Sequence, residues 1–320
     1  MQGGLDERAR LALSDALGPD GELRFDEPMA RHTTLRIGGP VDAWVMPTTY
    51  EALARVRARM SALGVITQGF GSGSNLLVRD GGIRGVAINL RHISRVSRLS
   101  ADGPDEGDSA NVWVEAGAAT GRVLAFATIE ELGGVEFLGG VPGTVGGGLI
   151  MNAGTYLGEW KDVTTRVFSI DAEGRTVARE GAACGFAYRS SALPPSEIVT
   201  HARLKLYARP RAEIQEVVRA LRDRRKEREP SAVHNAGSTF KNPPNEFAGR
   251  LIEATGLKGR RVGAAEVSPV HANWLVNTGG ATATDFLALM EICRAAVVER
   301  FGIELVPEVK IVGHDERNRG

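Results

Sequence analysis

Residues 69–75 read Gly69-Phe70-Gly71-Ser72-Gly73-Ser74-Asn75, and residues 138–148 read Leu138-Gly139-Gly140-Val141-Pro142-Gly143-Thr144-Val145-Gly146-Gly147-Gly148. Glycine tolerates positive φ and lets backbone amides come close to a ligand. Successive N–H groups in such a turn form a concavity that holds phosphate. The first cluster follows Val65 to Gln68, which reads as a buried strand, and Ser72, Ser74 and Asn75 add side-chain donors. A tight packing turn would explain one such cluster equally well. Two of them, each beside apolar sequence, favour a large, flat cofactor that carries phosphate. Leu76 breaks the GxGxxG spacing, and neither cluster contains GxxxxGK[ST], so Rossmann dinucleotide and P-loop sites are disfavoured.

The rest of the chain narrows the class. At 320 residues and 34.1 kDa it is long for one core, so two or three packed units are expected. Lys and Arg number 39, as do Asp and Glu, so no overall field draws the protein to nucleic acid or to an anionic membrane. Cys184 and Cys293 sit among apolar neighbours and read as core, and the six histidines show no metal-binding spacing. No disulfide framework and no metal are expected. Asp6, Glu7, Arg8 and Arg10 stand where a signal peptide needs an apolar run. The most apolar stretch, Leu132 to Ala153, contains Glu136, Pro142 and many glycines, and makes a poor membrane helix. The expectation is a cytoplasmic protein with small-molecule partners.

Outward from the clusters, hydrophobic spacing sets an α+β organisation. A helix over Leu5 to Leu17 closes at Gly18-Pro19. Residues 41–46 read as a strand. Thr48 with Glu51 predicts a capped helix carrying Leu53, Val56, Met60 and Leu63. Strands follow at 86–90 and 112–115 around a polar turn at 101–110. Thr120 is expected to cap a helix with Val123, Leu124 and Ala127 inward. Antiparallel strands are expected from Val163 to Tyr207, and Pro210 marks a boundary. Beyond it, helical faces at 214–221, 247–252 and 286–297 alternate with strands at 273–276 and 304–312. The domains expected are 1–30, a helix and lead-in; 31–209, in two parts of about 31–70 and 71–209; and 210–320.

Several motifs together carry a resemblance. Thr33-Thr34-Leu35-Arg36-Ile37-Gly38-Gly39-Pro40, Gly71 to Val78 and Gly140 to Gly147 resemble the flavin-binding motifs of the UDP-N-acetylenolpyruvoylglucosamine reductase family. Ala236-Gly237-Ser238-Thr239-Phe240-Lys241-Asn242-Pro243, Val276 to Ala281 and Leu305 to Lys310 resemble its C-terminal motifs. The short spacing from Tyr188-Arg189 to Ser238 is similar to the subtype with the shorter substrate-domain loop. The resemblance implies two FAD-binding subdomains of the vanillyl-alcohol-oxidase (PCMH-type) class and a C-terminal α+β substrate-binding domain. It implies a peptidoglycan-precursor enzyme with FAD as cofactor and NADPH as reductant, which turns the enolpyruvyl ether of a UDP-sugar into a lactyl ether. The FAD contacts implied are Gly71, Ser72, Gly73, Ser74, Asn75, Gly140, Pro142, Gly143, Thr144, Gly146 and Gly147. No histidine lies within 67–80 or 133–154, which favours noncovalent FAD.

The implied chemistry explains the catalytic residue types. A vinyl ether accepts hydride poorly, but its carboxylate lets charge at C2 delocalise as an enolate, which must then be protonated. Arg189 matches the family's catalytic arginine, and a guanidinium suits a planar carboxylate. Without the motif it reads as one surface arginine among many. Ser238 matches the proton donor to C2, with Lys241 as a plausible neighbour; alone it reads as a turn cap. Glu308 matches the third catalytic residue, and a carboxylate facing another should have a raised pKa; alone it reads as an exposed strand glutamate beside Lys310. Asn242 matches a substrate-contacting asparagine. Lys226 or Arg228 is expected on the UDP diphosphate, in a stretch whose plain reading is a solvated helix end. The family commonly has Lys-Gln-Pro where this chain has Arg228-Glu229-Pro230. His271 and Asn273 fit either the core or a pocket wall. The rival functions are an FAD-dependent oxidase of a hydroxy acid, sugar or alcohol, and an inactive flavin- or nucleotide-sugar-binding sensor.

Overall fold

A computed structural model of the chain describes residues 5–99, 109–230 and 233–315. The turn expected at 101–110 lies outside them but for its last two residues. The chain forms two compact units, each from three segments. The first unit comprises Met1–Phe25, Ala43–Gly71 and Gly85–Arg224; the second comprises Asp26–Asp42, Ser72–Arg84 and Arg225–Gly320. This division differs from the contiguous one expected, with cuts after residues 30 and 209. The reason is burial. Leu35, Ile37 and Leu77 pack among C-terminal side chains such as Phe240, Phe286 and Leu305, so two N-terminal segments belong with the last hundred residues.

In the first unit a six-stranded antiparallel sheet is centred on Ile198–Ala208. Thr164–Ile170 and then Thr176–Glu180 lie to one side; Ser109–Glu115 and then Val96–Arg98 lie to the other. Leu132–Gly133 pairs with the far end of the central strand. Side chains alternate across a strand, and Ala110, Val112 and Val114 accordingly point into the core. The helices are α1 (Glu7–Leu17), α2 (Tyr50–Ala62), α3 (Thr120–Ile129), α4 (Val145–Met151) and most of α5 (Arg211–Arg228). The cap of α2 is Thr49, whose hydroxyl accepts the Ala52 N–H at 3.1 Å. Thr48, expected there, donates its own N–H to the Asp20 carbonyl. Thr120 is likewise the first helical residue rather than a cap, and its hydroxyl donates to the Val141 carbonyl at 2.6 Å. Arg57 is buried among the apolar residues of α2 and spends its guanidinium on the carbonyls of Thr67, Asp171 and Ser196. On the sheet, the His201 ring is stacked between Trp113 and Phe168, with centroid distances of 3.8 and 4.2 Å. Burial, helped by Arg203, pushes its pKa down to about 4.

The second unit holds a four-stranded antiparallel sheet in the order His234–Asn235, Leu275–Asn277, Ala265–Val267, Arg261–Val262. Lys310–Val312 runs parallel to Leu76–Val78. Of the strand expected at 304–312 only these last residues are regular, because Pro307 has no N–H to contribute to a ladder; Pro307 instead forms an isolated bridge with Phe240. The helices are α6 (Ala248–Ala254) and α7 (Ala283–Phe301). Thr282 and Asp285 form a capping box at the start of α7. Asp80 closes the same helix end, accepting the N–H groups of Ala283 (2.8 Å) and Thr284 (2.9 Å) and the Thr284 hydroxyl (2.7 Å). Among the described residues no helix is long and apolar enough to cross a membrane.

Two stability predictions follow from these placements. The fold holds His201 neutral down to about pH 4, whereas the unfolded side chain titrates near 6.5. Between those values the unfolded chain binds the extra proton, so stability falls as pH drops through that window. His201→Phe should flatten this part of the unfolding free energy plotted against pH. Asp80→Ala should cost about 1–2 kcal/mol, the scale for losing a helix cap and its charge at a helix N-terminus, read as a lower urea midpoint.

Candidate active site

The two glycine clusters meet within the first unit. A Cβ at Gly71 would lie 2.5 Å from the Thr144 hydroxyl oxygen, so the two turns approach with no side chain between them. Asn89 fixes the first turn by donating to the carbonyls of Phe70 (3.0 Å) and Gly71 (2.9 Å). Ser72 to Asn75 belong to the second unit. Gly73 has φ +67°, and any Cβ there would run into the His32 carbonyl. The Thr34 N–H and hydroxyl both approach the Gly73 carbonyl, at 3.2 and 3.3 Å. The N–H groups of Ser72 and Gly73 donate to nothing among the described residues and are available to a ligand. Asn75 is committed elsewhere: its side chain donates to the Glu308 carbonyl at 3.1 Å, and its own carbonyl accepts the Lys310 N–H at 3.1 Å.

The second cluster runs from a buried Gly140 through Pro142 into α4. Gly143 has φ +135°, and its carbonyl accepts the Thr120 N–H at 3.1 Å. Thr144 caps α4, its hydroxyl facing the Gly147 N–H at 3.5 Å. Gly146 departs from the phosphate-binding expectation. Its N–H goes to the Ala116 carbonyl at 2.9 Å, and a Cβ there would press on the Ala116 Cβ at 3.1 Å, so this glycine serves close packing. Within the second unit, the unspent amides of Ser72 and Gly73 are donors of the kind a dinucleotide diphosphate takes.

Arg189 sits in a two-residue turn closed by reciprocal hydrogen bonds between Ala187 and Ser190, at 3.0 and 3.2 Å. Its φ is +54°, a conformation costly for any residue but glycine. The guanidinium donates to the Gly154 carbonyl at 3.1 Å and lies 5.1 Å from the centre of the Tyr188 ring. Asn152, fully buried at the end of α4, donates to the Ala187 carbonyl (3.1 Å) and accepts the Lys161 N–H (2.9 Å). The helix that opens at the second cluster therefore closes on the turn that carries Arg189.

Ser238 and Glu308 come together in the second unit. The Glu308 N–H donates to the Thr239 carbonyl at 2.8 Å, and the Lys241 N–H donates to the Val306 carbonyl at 2.8 Å. Both residues are half-buried. The side chains of Ser238 and Lys241 make no hydrogen bond among the described residues. Asn242 is exposed, and its side-chain oxygen accepts the Ala248 N–H at 3.1 Å, at the start of α6. Lys226 and Arg228 are exposed on the last turn of α5, with no ion pair among the described residues. Arg225 between them and the helix body is spent on Glu229 at 2.6 Å, whose carboxyl pKa burial raises.

Sequence reasoning leaves Asn273 open between the core and a pocket wall and gives Asn277 no role of its own; both hold this backbone. Asn273 accepts the Phe240 N–H (3.0 Å) and donates to the Phe240 carbonyl (2.8 Å). Asn277 donates to the Leu35 carbonyl (2.9 Å) and accepts from Gly279 and Ala281. For Asn273 the available signal was an asparagine between Ala272 and Trp274, a polar group that must find partners once buried.

Residues 41–179 match the FAD binding domain family, and residues 229–312 match the C-terminal domain of UDP-N-acetylenolpyruvoylglucosamine reductase. A reductase of that name from Anaeromyxobacter dehalogenans (strain 2CP-C) is 46% identical, covering 92% of this chain and 86% of its own length. One from Geobacter sulfurreducens is 44% identical over 92% of this chain and 95% of its own. The crystal structure of UDP-N-acetylenolpyruvylglucosamine reductase from Thermus caldophilus superposes with a TM-score of 0.76 at 36% identity, covering 92% of this chain and 99% of that one. With its FAD-binding region and its C-terminal domain both matched in order, the chain belongs to the UDP-N-acetylenolpyruvoylglucosamine reductase family.

Proposed function

We propose that the chain reduces UDP-N-acetylenolpyruvoylglucosamine to UDP-N-acetylmuramate in the cytoplasm, with NADPH as the reductant. The observation that carries this reading is the backbone pairing of Thr239 with Glu308, which brings the segments bearing Ser238 and Glu308 together. FAD, when bound, supplies the hydride that adds to C3 of the enolpyruvyl group. The protein's own tasks are then to grip the substrate carboxylate, to hold charge as it moves onto that carboxylate, and to protonate C2.

Arg189 takes the first task. Its guanidinium donates to the Gly154 carbonyl and lies near the Tyr188 ring, and its planar shape suits a carboxylate. Ser238 delivers the proton to C2. A hydroxyl is a weak acid, but an enolate is a strong enough base to take its proton when the two are held in contact. Glu308, one residue pair away, supports the charge shift as the third catalytic group. Arg189 lies in the first unit and the other two in the second, so their convergence on one substrate is part of the proposal. Asn242 contacts the substrate through the amide nitrogen that its helix bond leaves over, and Lys226 or Arg228 meets the diphosphate. The FAD diphosphate is assigned to Gly71, Ser72, Gly73, Gly140, Gly143, Thr144 and Gly147, with Ser74 and Pro142 lining the turns. The sequence carries no second dinucleotide fingerprint, so NADPH and the sugar nucleotide take turns at the same face of the flavin.

The purified protein should show a flavin absorbance band, and acid should release the flavin intact. Gly73→Val should lose the band, because the added carbons meet the His32 carbonyl. Ser238→Ala should bleach with NADPH at the wild-type rate. Its reoxidation by the enolpyruvyl substrate should slow by about 10²-fold, the scale for losing a positioned proton donor. Rapid-mixing absorbance measures both steps, and equal slowing of the two would remove Ser238 from this role.

A further inference from the structure

We propose that Asn273 is a positioning residue for proton delivery, holding the backbone from which Ser238 acts. This inference rests on the reading of Ser238 as the proton donor. Asn273 is 3% exposed and lies in neither glycine cluster. Its side-chain oxygen accepts the Phe240 N–H at 3.0 Å, and its side-chain nitrogen donates to the Phe240 carbonyl at 2.8 Å. Its main-chain carbonyl accepts the Thr239 N–H at 2.8 Å.

These three bonds lock three successive peptide planes. The N–H of Thr239 shares its plane with the Ser238 carbonyl, so fixing one fixes the other. On the far side of Ser238, Gly237 stands at φ +74° and donates its N–H to the Asn235 side chain at 3.1 Å. Ser238 is therefore suspended between an asparagine turn and the Asn273 clamp, with its hydroxyl unspent. The Asn273 clamp reaches Glu308 as well, because the Thr239 carbonyl accepts the Glu308 N–H. Segment 238–241 is irregular apart from its bridge to Pro307, so a side-chain amide supplies the two-point pairing that a neighbouring strand would otherwise give. Asn273 is itself seated by its N–H on the His271 imidazole at 3.2 Å. A hydroxyl that must meet C2 within hydrogen-bond reach tolerates little displacement, and a misplacement of about 1 Å can cost ~10²-fold in rate.

The test uses the FAD-loaded full chain with Asn273→Ala, and with Asn273→Asp as the variant that keeps the side-chain shape. Flavin bleaching by NADPH should stay within about twofold of wild type, and reoxidation by the enolpyruvyl substrate should fall by about 10-fold or more. The solvent deuterium isotope effect on reoxidation should rise, as proton transfer becomes slower than hydride addition. Titration of the oxidised flavin spectrum with substrate should give an unchanged dissociation constant. Placed on a Ser238→Ala background, either substitution should slow reoxidation no further, since its effect runs through the missing hydroxyl. If both half-reactions slow together, or if the two substitutions multiply, Asn273 is only a fold residue and the inference is overturned. A Ser238→Ala enzyme that reoxidises at the normal rate overturns the proton-donor reading instead.

Discussion

The second unit is organised around the main chain of one residue, Glu308. Its N–H is held by the Thr239 carbonyl and its carbonyl by the Asn75 side chain. The first bond ties the last strand region to the loop bearing Ser238. The second ties it to the first glycine turn. Remove either, and Glu308, the Ser238 loop and the first glycine turn have no common reference. The parallel pairing of Lys310–Val312 with Leu76–Val78 continues the same alignment into the core, where Leu77 is fully buried.

Asparagine is the recurring fastener. Asn75, Asn89, Asn152, Asn273 and Asn277 each bond to main-chain groups of a loop that bears a candidate functional residue or stands next to one. A side-chain amide carries the same donor and acceptor as a peptide group. It can therefore complete backbone that neither a helix nor a sheet satisfies, which is the condition of loops that must leave their amides open to a ligand.

The glycine turns, the helices with clean apolar spacing and the motifs around Arg189, Ser238 and Glu308 were legible because their signals are local. The rest depended on partners distant in sequence. That Asn75 also donates to the Glu308 carbonyl, and that Ala116 takes the Gly146 N–H, cannot be read from either glycine cluster. Thr48 and Thr49 are indistinguishable as caps without the Asp20 carbonyl that captures the former. Arg57 interrupts an apolar helix face, yet three carbonyls from separate segments make its burial tolerable. The discontinuous units were invisible for the same reason, since the burial of Leu35 and Leu77 is decided by side chains hundreds of residues away.

That discontinuity has a consequence for biosynthesis. Asn75 and Glu308 are 233 residues apart, which at ribosomal speeds of ~5–20 residues per second is a wait of roughly 10–50 s. Until Ala236 and the residues after it are made, Leu35, Ile37 and Leu77 have emerged without the apolar surface that will cover them. The charges set into and beside these runs, Arg31, Arg36, Arg79 and Asp80, are then the features that keep the nascent segments in water. Asp80 serves twice: as a soluble flank on the growing chain, and later as the group that receives the amides of α7 when that helix arrives.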